Sequence, residues 1–225
     1  MVSDTNRYIA RVVPDVTGLD KQFDYSIPPD LSARVGVGTI VRVELHGRRI
    51  GGWVAAVSNE PSEGRSVESL KPIAKVTGHG PAPELFELAE WASIRWAARR
   101  IRPFLVTASP GRAVVSLPAD RRTGMSPGPV SPATRDLLAN GGGVLRLPPR
   151  VDVMPTLLAA VGFGPALVLA PERDVVALLA TRLRRAGVSV AVVPDDWAVA
   201  AGGVDVVIGT RSAAWAPCPD LAAAV

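Results

Sequence analysis

The chain has 225 residues, 48% of them hydrophobic, enough for one large or two small domains with a buried core. Of its 25 basic residues three are lysine and the other 22 arginine, against 21 acidic residues, a net charge of +4; arginine suits planar, bidentate phosphate recognition, and high-GC codon usage accounts for it equally well. The single Cys218 excludes an internal disulfide and a four-cysteine zinc site. Neither a signal-peptide core after Met1 nor an apolar run of about 18 residues is present, so a soluble cytoplasmic protein without membrane contact is expected.

Residues 8–13 read as a strand and 14–18 as a loop. A second strand covers 22–27 and is closed by Pro28-Pro29. Residues 38–45 alternate apolar and polar side chains, the pattern of a half-buried strand. His46-Gly47-Arg48-Arg49 then turns the chain into a strand over 50–57. A small, curled β-sheet or barrel is expected. Residues 58–70 read as a loop, and 70–76 as a short strand or turn. Pro83 opens a helix predicted over 84–101, with Leu85, Leu88, Ala92 and Trp96 as its apolar stripe and Pro103 as its stop. Glu84, Glu87 and Glu90 in its first half and Arg95, Arg99 and Arg100 in its last complement the helix dipole.

Proline and glycine crowd residues 108–142, the composition of a linker, with one short helix over 132–139. From residue 143 the rhythm is strand, helix, strand, helix, strand, loop, strand: a parallel sheet with covering helices, as in nucleotide-driven motor lobes. Such a lobe holds phosphates with G-x-x-x-x-G-K-[ST] after its first strand. That position here reads Leu145-Arg146-Leu147-Pro148-Pro149-Arg150-Val151-Asp152-Val153, without glycine or lysine, and its two prolines lack N–H donors. None of the three lysines, Lys21, Lys71 and Lys75, follows a glycine, so no conventional phosphate loop occurs in the chain.

Three groups of residues could carry chemistry. In a strand, Phe23 and Tyr25 share one face and Asp24 takes the other. The aromatic pair could stack on a base while the carboxylate accepts from a sugar hydroxyl; the plainer alternative is two core aromatics and a solvated acid. Gly47 beside Arg48 and Arg49, with Lys71, could approach a phosphate closely, or could form an ordinary hairpin turn with solvated charges. Thr210, Arg211 and Ser212 follow a buried strand at its carboxyl end, where open α/β sheets bind ligands.

Together these stretches resemble the N-terminal part of primosomal protein N′, the PriA replication-restart helicase family. The resemblance rests on Phe23-Asp24-Tyr25, the strand 38–43, Leu70-Lys71, Leu167-Val168-Leu169-Ala170-Pro171-Glu172, and the stretch 207–217, which matches V-I-G-T-R-S-A-x-x-A-P. It implies an α/β multidomain protein: a small β-rich, barrel-like DNA-binding domain over 1–107, a linker over 108–142, and a partial, RecA-like parallel α/β helicase lobe over 143–225. Family membership implies capture of the nascent strand's 3′ end by Phe23, Asp24, Tyr25, Gly47 and Lys71, with Arg48, Arg49, Thr210 and Arg211 on the DNA backbone. Glu44-Leu45-His46-Gly47 departs from the family's commoner P-F-G.

The family uses ATP with magnesium, and zinc. Here Arg146, Pro148, Pro149 and Arg150 occupy a degenerate nucleotide loop, and the acidic metal motif and zinc region do not occur. The expectation is therefore no cofactor, no bound metal and no catalysis. The degenerate loop resembles the actinobacterial branch of the family, and the end at Val225 reads as that of a fragment. The expected function is a non-enzymatic replication-restart factor on forked DNA and single-strand/duplex junctions, with primosome and single-strand-binding proteins as partners. An active ATP-dependent 3′-5′ helicase and a protein-interaction scaffold are the alternatives.

Overall fold

A computed structural model describes residues 8–62, 66–124 and 130–225. They form two compact units, Met1–Ser116 and Leu117–Val225.

The first unit is built on five antiparallel strands: β1 (Ile9–Pro14), β2 (Phe23–Ser26), β3 (Ile40–Leu45), β4 (Arg48–Ser58) and β5 (Lys75–Gly78), in the order β2-β1-β4-β3-β5. Alternation decides which side is buried. Val41 and Val43 of β3 point inward to join Ala10, Val12, Tyr25, Ile27, Val54 and Ile73, while Arg42 and Glu44 point to solvent. The β3–β4 hairpin turns on two residues only, His46 (φ 49°) and Gly47 (φ 77°). Positive φ at both central residues matches the right-handed twist of the strands and favours glycine. Arg48 and Arg49 are thus not part of the turn; they open β4, opposite Leu45 and Glu44. The segment after residue 70 engages both edges of the sheet. The Ser26 N–H donates to the Lys71 carbonyl and the Ile73 N–H to the Ser26 carbonyl, each at 3.0 Å, while Ala74, at 2.9 Å, and then β5 bond to β3.

The helix predicted over 84–101 ends early, and a second helix follows it. The first, α1 (Pro83–Arg95), stops where Ala97 adopts a left-handed φ of 50°, and the second, α2 (Arg102–Ala108), begins with Pro103 in its first turn. Proline lacks a donor that the first turn leaves unused, so Pro103 starts a helix rather than ending one. The buried stripe of α1 is Leu85, Phe86, Ala89 and Ala92; Leu88 and Trp96, predicted inside, are exposed. Arg102 pairs with Asp15 at 2.7 Å, and the Trp53 indole N–H donates to Ser109 Oγ at 2.8 Å, tying α2 to the sheet.

The second unit holds α3 (Pro132–Ala139), α4 (Met154–Val161), β6 (Ala166–Leu169), α5 (Arg173–Arg185), β7 (Val190–Val192), α6 (Trp197–Gly202), β8 (Val206–Gly209) and β9 (Ala223–Ala224). Its four strands are parallel, in the order β7-β8-β6-β9. The strand expected before the degenerate loop is absent: residues 143–147 pair with nothing in the sheet, and Val144 is 87% exposed. Gly141, Gly142 and Gly143, all at positive φ, and Pro148-Pro149 bracket that run, and β9 takes the place beside β6.

Residues 108–142, read as linker, are shared between the units. His79 N–H donates to the Val114 carbonyl at 2.7 Å in the first. In the second, Thr123 is held by the buried Asp205 through its N–H at 2.9 Å and its hydroxyl at 2.8 Å. Ser131 caps α3, the short helix expected there.

Candidate nucleic-acid interface

A cleft of about 390 Å³ opens in the first unit, lined by Phe23, Asp24 and Tyr25 of β2, by Glu44, Leu45 and His46 at the hairpin, and by Ser69, Leu70 and Lys71. It lies where β2, an edge strand, is bonded on its outer side only from Ser26 onward. Phe23, Asp24, Tyr25 and Lys71, far apart in sequence, are thus brought to one place. Gly47 follows His46 in the turn without lining the cleft, and a Cβ on it would meet nothing within 4 Å; its left-handed φ is what calls for glycine there. Arg48 and Arg49 are exposed just beyond it.

The aromatic residues divide. Tyr25 is buried in the sheet's core, and its hydroxyl donates to the Glu44 carbonyl at 3.1 Å. Phe23 is half-buried and supplies the cleft with an apolar wall. Asp24 is 6% exposed, and its carboxylate is occupied. Oδ1 accepts from Arg11, its cross-strand neighbour, at 3.3 Å, and Oδ2 accepts from the Ser62 N–H at 2.6 Å. Arg11 also donates to Ser62 Oγ at 2.9 Å. Burial alone pushes the Asp24 carboxyl up, but the hydrogen bonds from Ser62 and the Arg11 guanidinium outweigh it, so it lies below the ordinary aspartate value. What Asp24 turns toward the cleft is its backbone. In an antiparallel ladder alternate residues bond to alternate sides; Ile27 N–H bonds inward to Tyr8 and Ser26 outward to residues 71–73, so the N–H and C=O of Asp24 face outward with those of Ser26.

The charged groups at the cleft are Glu44 and Lys71, whose Oε1 and Nζ meet at 2.6 Å. The hydrogen bond and charge of Lys71 hold the Glu44 carboxyl below its usual value, so it stays ionised at neutral pH. Both side chains are about half exposed, and an ion pair in water adds little stability. The pair can therefore open cheaply toward a ligand, giving the cleft one free ammonium and one free carboxylate. Glu44 escaped the sequence reading because only the hairpin register carries it to β2; His46 was singled out there only with Gly47, Arg48 and Arg49. Arg11 and Ser62 escaped it because their role is to hold Asp24.

Thr210 and Arg211 belong to the other unit, just beyond the carboxyl end of β8, where Arg211 is exposed. Gly209 before them has no room for a side chain: a Cβ would lie 2.7 Å from that of Ala213. Also in this unit, a cleft of about 550 Å³ lies at the end of β6, with Pro149 and Arg150 of the degenerate loop on its rim and mainly apolar walls. Asp152 sits at the start of α4, accepts from the Met154 N–H at 3.1 Å and pairs with Arg182, which draws its carboxyl below the normal range. A phosphate at this helix start would meet a carboxylate instead of N–H donors.

An antiparallel sheet with a cleft that joins an aromatic wall, an exposed backbone edge and a lysine has the equipment of a nucleic-acid-binding module. Residues 11–106, which lie within this unit, match the PriA family model described as the 3′DNA-binding domain (3′BD). No curated protein matches the chain. The match supports DNA as a partner of this unit. Among the described residues no helix is long and apolar enough to cross a membrane.

Proposed function

We propose that the first unit captures the 3′ end of a DNA strand in the cleft between β2, the β3–β4 hairpin and Lys71, and that the chain serves replication restart at forked DNA without hydrolysing ATP. The observation that carries the reading is the joining of Phe23–Tyr25 and Lys71 in one cleft inside the span that matches the 3′DNA-binding domain. The terminal base packs on Phe23 and bonds to the backbone edge at Asp24, the edge hydrogen-bonding that lets a sheet accept an added chain. Lys71, swung from Glu44, meets the last phosphodiester; Glu44 is then an acceptor for the free 3′ hydroxyl. Arg48 and Arg49 lie beyond the turn for phosphates further along. These last contacts give affinity but no information about the end.

The second unit has a parallel sheet like that of a motor lobe, and Thr210 and Arg211 would meet DNA from it. Pro148-Pro149 and the Asp152 carboxylate speak against phosphate binding at its degenerate loop, so ATP does not fit there. Primosome and single-strand-binding proteins are the partners such a factor would recruit.

The test compares affinity for a recessed 3′-hydroxyl end and a 3′-phosphate end. The native protein should prefer the hydroxyl, and Glu44→Gln should reduce that preference by about fivefold or more, the loss of one charge-assisted hydrogen bond. Equal affinity of the native protein for both ends would defeat the reading. Calorimetry with Mg-ATP should give no binding; low-micromolar binding lost on Arg150→Ala would restore the helicase alternative.

A further inference from the structure

The stretch from Trp91 to Phe104 contains four arginines, Arg95, Arg99, Arg100 and Arg102, and no acidic residue. Of its aromatic side chains Trp96 was expected inside; the structure turns it and Trp91 out. Trp91 is 56% exposed, Ile94 81% and Trp96 62%, on a surface where a monomer gains nothing from displaying them. The backbone imposes the arrangement. Ala97 adopts a left-handed φ that costs a residue with a side chain about 1 kcal/mol or more. The resulting reversal returns Phe104 of α2 against one side of Trp96, with ring centroids 6.2 Å apart and planes at 30°, while Trp91 meets it edge-on at 6.0 Å and 74°. Trp96 is thus braced by two rings and remains open to solvent.

Glu87 lies exposed one turn before Trp91, but from Trp91 to Phe104 every charge is basic. Trp91 and Arg95 lie one helical turn apart on the same face. Arg95 and Arg99 are exposed and have no acidic partner among the described residues; Arg102 is occupied by Asp15, and Arg100 keeps a buried Nε without a hydrogen-bond partner. An apolar protein partner would leave these guanidinium groups unmatched. A duplex would satisfy them but keeps its bases stacked on one another. Unpaired nucleotides satisfy both features, because their bases stack on indole rings and their phosphates meet arginine.

We infer that the Trp91–Trp96 face with Arg95 and Arg99 is a binding platform for single-stranded DNA, separate from the 3′-end cleft and indifferent to strand ends.

A closed circular single strand of thymidylates has no end for the cleft to capture, so its binding reports on contacts outside end capture, with this face the expected main contributor. Fluorescence anisotropy with the full chain should show binding of the circle. Trp96→Ala should weaken it about tenfold, and Trp96→Phe, which keeps a stacking surface, should restore most of the loss. Arg95→Glu with Arg99→Glu should weaken binding of the circle about tenfold or more, leave the preference for a 3′-hydroxyl over a 3′-phosphate end intact and keep the native melting profile. Failure of the circle to bind, or equal binding by native protein and Trp96→Ala, would overturn the inference. So would an effect of Trp96→Ala on self-association alone, which would make the face a contact between copies. Loss of end preference with normal binding of the circle would instead strike only the cleft.

Discussion

Replacing Asp24 by alanine separates two roles for the acid at the heart of the Phe23-Asp24-Tyr25 motif. The substitution strips the Ser62 N–H, 2.6 Å away, of a charged acceptor, a bond of about 1.5–3 kcal/mol. Arg11 lies at 3.3 Å with its side chain 43% exposed, so its attraction is screened and adds at most about 1 kcal/mol. The expected loss is about 3 kcal/mol, carried by the first unit alone. For a unit near 100 residues that is a fall in melting temperature of about 15 °C. Differential scanning calorimetry of the full chain should show one transition moving and the other unchanged. Below the new melting point, the ratio of affinities for 3′-hydroxyl and 3′-phosphate ends should match that of the native protein. A protein that melts within about 2 °C of native while losing its end preference would refute this assignment. The carboxylate would then be reading the terminus itself.

Lys71→Ala should weaken binding to both kinds of end alike and lower the salt dependence, since a neutralised phosphate adds about 0.9 to the slope of log affinity against log salt. An unchanged slope in titrations between about 50 and 200 mM salt would remove Lys71 from the DNA. Asp205→Ala should destabilise the second unit by about 3 kcal/mol or more, seen in urea unfolding, because the buried carboxylate accepts from the N–H and hydroxyl groups of both Thr123 and Ser189. Burial pushes Asp205 up, but those hydrogen bonds prevail, so its folded value, like that of Asp24, is depressed. The stability both acids contribute is complete above the unfolded value of about 3.9 and is lost as pH falls through the lower folded value. Acid titration of Asp205→Ala should therefore show a shallower decline of the second unit's stability below about pH 4.

Periodicity made the strands of the first unit legible, because Val41, Val43 and their polar neighbours alternate without interruption. It failed at α1, where Trp96 fits the apolar spacing of a longer helix and nothing local announces the left-handed turn at Ala97. That reversal is held by rings from both helices, a tertiary cause. It failed again at residues 143–147, where an apolar pattern lacked the partner that a strand needs. In the cleft, the motif residues were visible as a group, but their orientations were not. Asp24 faces away because its strand partner is Arg11, and pairing register cannot be read from one strand. Glu44 looked like a solvated alternation residue and reaches the cleft because of where its hairpin ends.

The backbone of Lys71 accepts a hydrogen bond from Ser26 while its side chain reaches the cleft. Occupancy of that cleft is therefore thermodynamically linked to the joint between β2 and residues 71–73. A bound strand end should slow exchange of the Ser26 and Ile73 amides with solvent deuterium beyond any effect on β3 and β4. Those two amide protons would report, from inside the protein, whether a terminus has been captured.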